Sequence, residues 1–222
     1  MNFAKSLKER TKNVWEACYQ HPFVQELGQG TLAKDKFQFY LVQDYKYLLE
    51  YAKVFALGAL KAETEYLMTN FTLGQYAILQ HEMDLHRQYM QEFGIKLSEA
   101  EQAKTALFNS AYTANMLNVG QKQGVAEIIA VILPCAWSYN DFAERLKQDY
   151  AQNLANNPYK SWLDMYTGAE YIDSFTWFFD ALDALADGKS AAELAKLEAV
   201  FASSIEFEYL FWDMAYKKQL SF

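Results

Sequence analysis

The sequence contains few of the residues that interrupt helices. It has three prolines and nine glycines in 222 residues. The alternation of apolar and polar residues that is typical of a half-buried strand is hard to find. Apolar residues instead recur at spacings of three and four along the whole chain. This pattern predicts an all-α protein, a bundle of helices.

Cysteine and excess positive charge are also scarce. With only Cys18 and Cys135 and no CxxC pair, a disulfide framework is not expected, and a reducing cytoplasm is indicated. The net charge of −8, with acids and bases interspersed, argues against a nucleic-acid or membrane partner. The first residues lack the apolar core of a signal peptide. The longest apolar run without a charge, residues 128–140, is too short to span a membrane.

The joins between the predicted helices are short, and none resembles a flexible linker. We therefore expect one helical domain over residues 1–222. Three capping patterns, Thr72–Gln75, Ser98–Glu101 and Ser190–Glu193, predict helix starts, and Gly94 and Gly188 predict helix ends. The predicted helices cover 3–20, 32–60, 75–93, 99–118, 122–150, 159–166, 170–186 and 191–217.

Asp44 is an acidic residue on an apolar helix face. The other members of its stripe are aromatic: Phe37, Tyr40, Tyr47, Tyr51 and Phe55. A second stripe, which we expect to face solvent, holds Gln43, Lys46, Glu50 and Lys53. A carboxylate on an apolar stripe must find hydrogen-bond partners or lose its charge. Asp44 is therefore a candidate for chemistry, with a helix cap or a structural ion pair as the alternative.

Glu208 and Cys135 are also expected to point inward. Glu208 shares a stripe with Ile205, Phe211 and Trp212, whereas Glu206 lies on the opposite side. Cys135 follows a proline within the uncharged run 128–140, and Tyr139 lies one turn later on the same face. A buried cysteine is usually an inert apolar residue, and a buried glutamate can serve a structural ion pair. These alternatives stay open on spacing alone.

The segment around His86 raises the question of a metal site. Glu82 and His86 are one turn apart, and His81 and Asp84 are close by. A di-iron site in a helical bundle needs about four carboxylates and two histidines from several helices, and there is no second ExxH pair. His86 also belongs to an apolar seam. We therefore expect no metal, and His86 is interpreted as a hydrogen-bonded core histidine and His21 as a turn residue.

Six segments in sequence order carry a family resemblance. They are HPFVQELGQGTL (21–32), FQFYLVQDYKYLLEYAKVFALGALKA (37–62), EMDLHRQY (82–89), LPCAWSY (133–139), YKSWLDMY (159–166) and EFEYLFWDMAY (206–216). As a set they resemble the TenA family (thiaminase II, aminopyrimidine aminohydrolase), helical proteins of the haem-oxygenase-like fold. Two positions depart from the family pattern: Ala143 replaces a frequent glycine, and Tyr139 stands where members differ.

The resemblance implies an activity and a role for each site residue. The family hydrolyses 4-amino-5-aminomethyl-2-methylpyrimidine or thiamine in thiamine salvage, through a cysteine nucleophile and without a cofactor. Cys135 matches that nucleophile, Glu208 the acid–base glutamate and Asp44 the substrate-orienting aspartate. The substrate-binding aromatics match Tyr47, Tyr112 and Tyr166, and Tyr139 is an added candidate. The resemblance also implies a small-molecule substrate and a homotetramer.

Two other functions stay open at this level. A haem- or di-iron-binding oxidase of the same fold would use His21 or His86 as a metal ligand. A non-enzymatic helical adaptor would leave the inward Asp44 and Glu208 without a purpose. In the hydrolase interpretation, the side chains of residues 44, 135 and 208 are expected to open into one aromatic cavity.

Overall fold

The computed structural model describes residues 2–221, and every regular element in this range is helical. The prediction of an all-α protein is thus confirmed. The described chain divides into two compact units: a first unit of residues 2–32 and 129–213, and a second unit of residues 33–128 and 214–221. One domain over the whole chain stays a prediction. No helix within residues 2–221 is long and apolar enough to cross a membrane.

The first unit is built around the tryptophan of its second helix. Trp15 is fully buried, and its ring centroid lies 5.1 Å from that of Trp137 and 5.7 Å from that of Phe142. Its helices are α1 (Phe3–Arg10), α2 (Lys12–Tyr19), α3 (Pro22–Gln29), α9 (Val125–Asp149, from residue 129), a 3-10 helix (Ala151–Asn156), α10 (Lys160–Tyr166), α11 (Ala169–Ala186) and α12 (Ala191–Lys217, up to residue 213).

The second unit is organised by its longest helix, α4, which contacts α5, α6 and α8. Near the chain end, Leu220 O accepts a hydrogen bond from Leu107 N at 3.0 Å. The helices are α4 (Lys34–Lys61), α5 (Glu65–Ala77), a π-helical turn (Ile78–Glu82), α6 (Met83–Phe93), α7 (Leu97–Gln102) and α8 (Leu107–Lys122).

Several helix ends follow the local sequence signals. Ser190 N donates to the Glu193 carboxylate at 2.9 Å, and Glu193 N donates back to the Ser190 hydroxyl at 3.4 Å, as the capping pattern predicted. Gly94 and Gly188 end helices with φ of 79° and 73°, a left-handed backbone that glycine adopts without strain.

Two other predicted helix starts are wrong. Thr72 lies inside α5, where its hydroxyl donates to Met68 O at 2.8 Å, a bond that a helix interior offers to threonine. Helix α7 begins at Leu97, and Glu99 rather than Glu101 accepts from the backbone, from Lys96 N at 3.4 Å.

The predicted helix pattern also missed or merged elements. Helix α3 was predicted as part of a join, and most of α5 was predicted as a gap. The first predicted helix is broken at Thr11 into α1 and α2, and residues 99–118 contain a break between α7 and α8. His21, predicted as a turn residue, is the N-cap of α3, where its Nδ1 accepts from Phe23 N at 3.2 Å.

Candidate functional site

All the side chains that the sequence nominated for the site are buried. Their exposed fractions are Asp44 3%, Tyr47 3%, Tyr112 1%, Cys135 8%, Tyr139 4%, Tyr166 1% and Glu208 1%. Asp44, Tyr47 and Tyr112 belong to the second unit, and the other four belong to the first.

Asp44 is held by two side chains of the second unit. His86 Nε2 of α6 lies 2.5 Å from Asp44 Oδ2, and the Tyr40 hydroxyl, one turn before on α4, donates to the same oxygen at 3.1 Å. His86 is 1% exposed. A buried carboxylate that is paired and hydrogen-bonded can keep its charge on an apolar face, so these contacts explain how Asp44 is tolerated there.

The contact of the second ring nitrogen, Nδ1, shows which nitrogens of His86 carry protons. Nδ1 lies 2.9 Å from Glu82 O, and a backbone carbonyl can only accept, so Nδ1 carries the proton. A second proton is then shared between Nε2 and the Asp44 carboxylate. Burial of the ring lowers the pKa of His86, but the hydrogen bond and charge of Asp44, and then the charge of Glu82, outweigh it and raise the pKa above its ordinary value.

Gln43 anchors the segment leading into α8 beside Asp44. Its amide donates to Lys104 O at 3.0 Å and accepts from Ala106 N at 2.8 Å, and Asn109 Nδ2 donates to Gln43 O at 2.8 Å. Gln43 is 1% exposed, so the prediction that it faces solvent is wrong. An amide can replace water with backbone partners, and the spacing of residues along one helix does not indicate such partners.

Two of the predicted substrate-binding tyrosines meet in the second unit. The ring centroids of Tyr47 on α4 and Tyr112 on α8 are 5.1 Å apart. The Tyr47 hydroxyl lies 3.5 Å from Met116 Sδ, a weak acceptor one turn after Tyr112. The Gln43 contacts hold α8 against α4 and so bring Tyr47 and Tyr112 together.

In the first unit, the helices that carry Cys135 and Glu208 touch each other. Pro134 has no N–H to donate within α9. Next to this break, the Ser204 hydroxyl of α12 donates to Val131 O at 2.6 Å. Cys135 lies one turn after Val131, and Glu208 lies one turn after Ser204. Both side chains therefore project from the turns that follow a direct contact between the two helices.

The two cysteines differ in their surroundings, and both are thiols. Cys18 is fully buried, and its Sγ donates to Ile205 O at 3.6 Å. Burial, and then the charge of Glu208, raise the pKa of Cys18 far above its ordinary value, so Cys18 stays an unreactive thiol. Cys135 keeps 8% of its surface exposed.

Glu208 is enclosed by the first unit, as the helix pattern predicted. It is 1% exposed, whereas Glu206 on the same helix is exposed. Its charge contributes to the raised pKa of Cys18 on α2. The inward direction of Glu208 is therefore confirmed.

The remaining two predicted residues belong to an aromatic cluster. The ring centroids of Tyr139 and Tyr166 are 4.8 Å apart, and Tyr139 also lies 5.0 Å from Trp212. Trp162 lies 4.5 Å from Tyr166. Asn140 Nδ2 donates to Tyr166 O at 2.8 Å and ties α10 to α9. Flat rings in such contacts suit the binding of a flat heterocycle.

Sequence reasoning missed several members of these groups. Tyr40 was in the same stripe as Asp44 and one turn away, so its contact was visible in the spacing. The partnership of His86 with Asp44 joins two helices distant in sequence, and no local pattern indicates it. Within residues 2–221, no cluster of three or more His, Cys, Asp or Glu side chains is arranged to hold a metal ion.

Comparison with known proteins defines the family and the fold of this chain. Residues 8–218 match the TENA/THI-4/PQQC family, and the chain belongs to this family. Its fold is haem-oxygenase-like: it superposes with a TM-score of 0.78 on a Shewanella denitrificans domain of unknown function with that fold, over 97% of this chain and 92% of that one at 13% identity. A TenA homologue from P. horikoshii gives a TM-score of 0.88 at 28% identity over 98% of this chain and 99% of that one.

Two relatives match nearly the full length of the chain. A Halalkalibacterium halodurans protein named aminopyrimidine aminohydrolase is 42% identical over 99% of this chain and 98% of its own length. A Helicobacter pylori protein of the same name is 41% identical over 98% of this chain and 100% of its own length.

Proposed function

We propose that this protein is an aminopyrimidine aminohydrolase of thiamine salvage. It converts 4-amino-5-aminomethyl-2-methylpyrimidine to the hydroxymethyl pyrimidine, cleaves thiamine, or does both. The observation that carries the proposal is the full-length similarity to the two proteins of that name. The presence of Cys135, Asp44 and Glu208, all buried, supports it.

Cys135 is the nucleophile in this proposal. Its thiolate adds to the electron-poor pyrimidine ring and breaks its aromaticity. The amine or thiazole then leaves the exocyclic methylene, water adds there, and the sulfur is expelled as a thiolate. Covalent catalysis replaces one difficult step with two easier ones. Because an unperturbed thiol is only a few per cent ionised near neutral pH, the step needs a nearby base.

Glu208 supplies the acid–base chemistry, and Asp44 orients the ring. Burial suits Glu208 to proton transfer because the charged form of a desolvated carboxyl is disfavoured. Asp44 accepts from the amino group of the pyrimidine. The four tyrosines pack against the heterocycle and offer hydroxyls at its edge: Tyr47, Tyr112, Tyr139 and Tyr166.

The direct experiment measures kcat and KM of the purified protein with both substrates. Cys135→Ser is expected to abolish turnover with little change in Tm. Cys18→Ala is the matched control, because Cys18 is also a buried cysteine but serves packing, and this variant should keep activity. Near-normal turnover by Cys135→Ser would exclude the covalent role. If the wild-type protein hydrolyses neither substrate, the proposed function is wrong.

A pair of neighbouring glutamates on one helix tests the acid–base role. Glu208→Gln is expected to lose several orders of magnitude in kcat while the Tm stays close to that of wild type. Glu206→Gln changes an exposed residue of the same helix and should be silent. If Glu208→Gln unfolds the protein, the carboxylate is structural.

The contacts of His86 do not favour the haem interpretation. Both of its ring nitrogens are engaged by protein groups, at Glu82 O and Asp44 Oδ2. An absorbance spectrum of the purified protein separates the two functions, because a bound haem gives an intense Soret band.

The proposal includes a single cytoplasmic domain that forms homotetramers. Two reduced thiols suit that compartment. Four apolar side chains of α5 are exposed: Tyr66 (53%), Met68 (48%), Leu73 (58%) and Tyr76 (58%). Neighbouring exposed apolar residues often mark interaction surfaces, which supports self-association. Light scattering after gel filtration measures the mass, and a monomer would contradict the tetramer.

A further inference from the structure

The Asp44–His86 pair is asymmetric in a way that matters for ligand binding. Both hydrogen bonds to the Asp44 carboxylate, from Tyr40 and His86, are made to Oδ2. Among residues 2–221, no side chain or backbone group bonds to Oδ1. A carboxylate oxygen has lone pairs for further donors, so Oδ1 has the capacity to accept from an amino group.

We propose that His86 is a positioning residue that fixes Asp44 through Oδ2 and thereby reserves Oδ1 for the amino group of the pyrimidine. This role rests on the proposed function. His86 acts only through Asp44 and need not touch the substrate. It adds α6 to the helices on which substrate recognition depends.

The rigidity of His86 supports this role. Its Nδ1 is tied to Glu82 O, at the end of the π-helical turn Ile78–Glu82, and its ring is buried. π-helical turns occur frequently at functional sites. Because both nitrogens are engaged, the ring cannot rotate without losing a bond on each side. A partner of this kind holds the carboxylate in one orientation.

The charge of His86 also lies directly against the Asp44 carboxylate, with 2.5 Å between Nε2 and Oδ2. The titratable groups that act on the ring are Asp44 on α4 and Glu82 at the end of the π-helical turn, and the Tyr40 hydroxyl bonds to the same Asp44 oxygen. The proton shared between Nε2 and Oδ2 makes this a charge-assisted hydrogen bond, which is stronger than a neutral one and holds the two groups together.

Two conservative substitutions separate a role through Asp44 from a structural role through Glu82. The amide of His86→Gln reaches the position of Nε2 and can still donate to Asp44. The shorter amide of His86→Asn reaches the position of Nδ1 and retains only the bond to Glu82. His86→Leu removes both bonds. His81→Gln is the control, because His81 is an exposed histidine within the adjacent π-helical turn.

The expected results are changes in KM rather than in kcat. A hydrogen bond to a charged group is worth about tenfold to hundredfold in affinity, so His86→Leu should raise KM by that factor. An interaction made equally in ground and transition states appears in KM, so kcat should change little. His86→Gln should restore most of the affinity, His86→Asn should not, and His81→Gln should behave as wild type.

A double-mutant cycle with Asp44→Asn gives the decisive comparison. If His86 acts through Asp44, adding His86→Leu to Asp44→Asn produces no further rise in KM. Additive effects would overturn the proposal, as would better rescue by asparagine than by glutamine. If His86→Leu does not fold, the glutamine and asparagine variants still give this comparison. If the wild-type protein is active and His86→Asn keeps the wild-type KM, the role of His86 is refuted but the proposed function stands. If the wild-type protein is inactive, both the proposed function and the role of His86 are refuted.

Discussion

The contact between α4 and α5 depends on two glycines, each lying against a phenylalanine of the other helix. Gly58 of α4 lies against Phe71 of α5, and Gly74 of α5 lies against Phe55 of α4. A Cβ at position 58 would lie 2.4, 2.5 and 2.7 Å from three ring carbons of Phe71. Phe71 is fully buried, so its ring has no solvent to move into. We therefore expect Gly58→Ala to destabilise the protein.

The magnitude follows from two opposing effects. Alanine is favoured over glycine within a helix by about 1 kcal/mol. Overpacking a buried contact costs about 1–3 kcal/mol, and three clashes with one rigid ring place this site near the upper value. The net loss is about 2 kcal/mol. For a protein of this size, it corresponds to a drop in Tm of roughly 4–8 °C.

The assay is thermal unfolding of Gly58→Ala beside a matched glycine substitution. A Cβ at Gly120 of α8 would lie 2.8 Å from Leu57 Cδ1, the tip of a flexible side chain that can move aside. Gly120→Ala is thus expected to be neutral or mildly stabilising. In a Phe71→Leu background, Gly58→Ala should cost less than in the wild type, because the ring that it meets is gone.

A Gly58→Ala variant that melts at or above the wild-type temperature would contradict the predicted overpacking, as would an unchanged loss of stability when Phe71 is leucine. The result also bears on function, since α4 carries Asp44 and Tyr47. A shift of α4 would alter the positions of both.

Two further predictions concern stability. The pKa of His86 is higher in the folded state than in the unfolded state, because of its pairing with Asp44. The stabilisation by this pair is therefore fully present below the pKa of an unfolded histidine, about 6.5, and is lost as the pH rises through the pKa of His86 in the folded protein. The difference in Tm between wild type and His86→Gln should accordingly shrink with rising pH, and a constant difference from about pH 5 to 9 would contradict the pairing. Asn157 donates to Leu27 O and Gly28 O at 3.0 and 2.9 Å and accepts from Tyr159 N at 2.8 Å. Asn157→Ala should lower the free energy of unfolding in denaturant titration by about 3 kcal/mol, whereas Asn156→Ala, at an exposed neighbour, should change it little; equal effects would show that these bonds contribute nothing.

The sequence predicted well where one strong local signal was present. Glu208 was distinguished from Glu206 by helical periodicity alone, because a long amphipathic helix such as α12 buries one side and exposes the other. Ser190 with Glu193, Gly94 and Gly188 marked helix boundaries correctly, since capping depends on groups within a few residues.

Prediction failed where packing overrides local preference. Helix α3 has only eight residues, fewer than an isolated helix needs to be stable, so it depends on its neighbours. Helix α5 exposes Tyr66, Leu73 and Tyr76 on its outer side, which blurs the periodicity that indicates a helix.

Gln43 shows a different limit, which concerns polar residues in the core. Its sequence position is that of a solvent-facing residue, yet its amide is satisfied by Lys104 O and Ala106 N. Whether a polar side chain is buried depends on which backbone groups a distant segment offers. This information is absent from the helix that carries the residue.

By itself, the sequence determined the helical class, the inward direction of Glu208 and the unusual position of an aspartate among aromatic residues, because each follows from periodicity within one helix. Only the tertiary structure decided what surrounds that aspartate. His86 lies on another helix, and its ring approaches Asp44 because α6 packs against α4. A hydrogen bond between residues distant in the chain has no local pattern, since it depends on how two helices fold against each other.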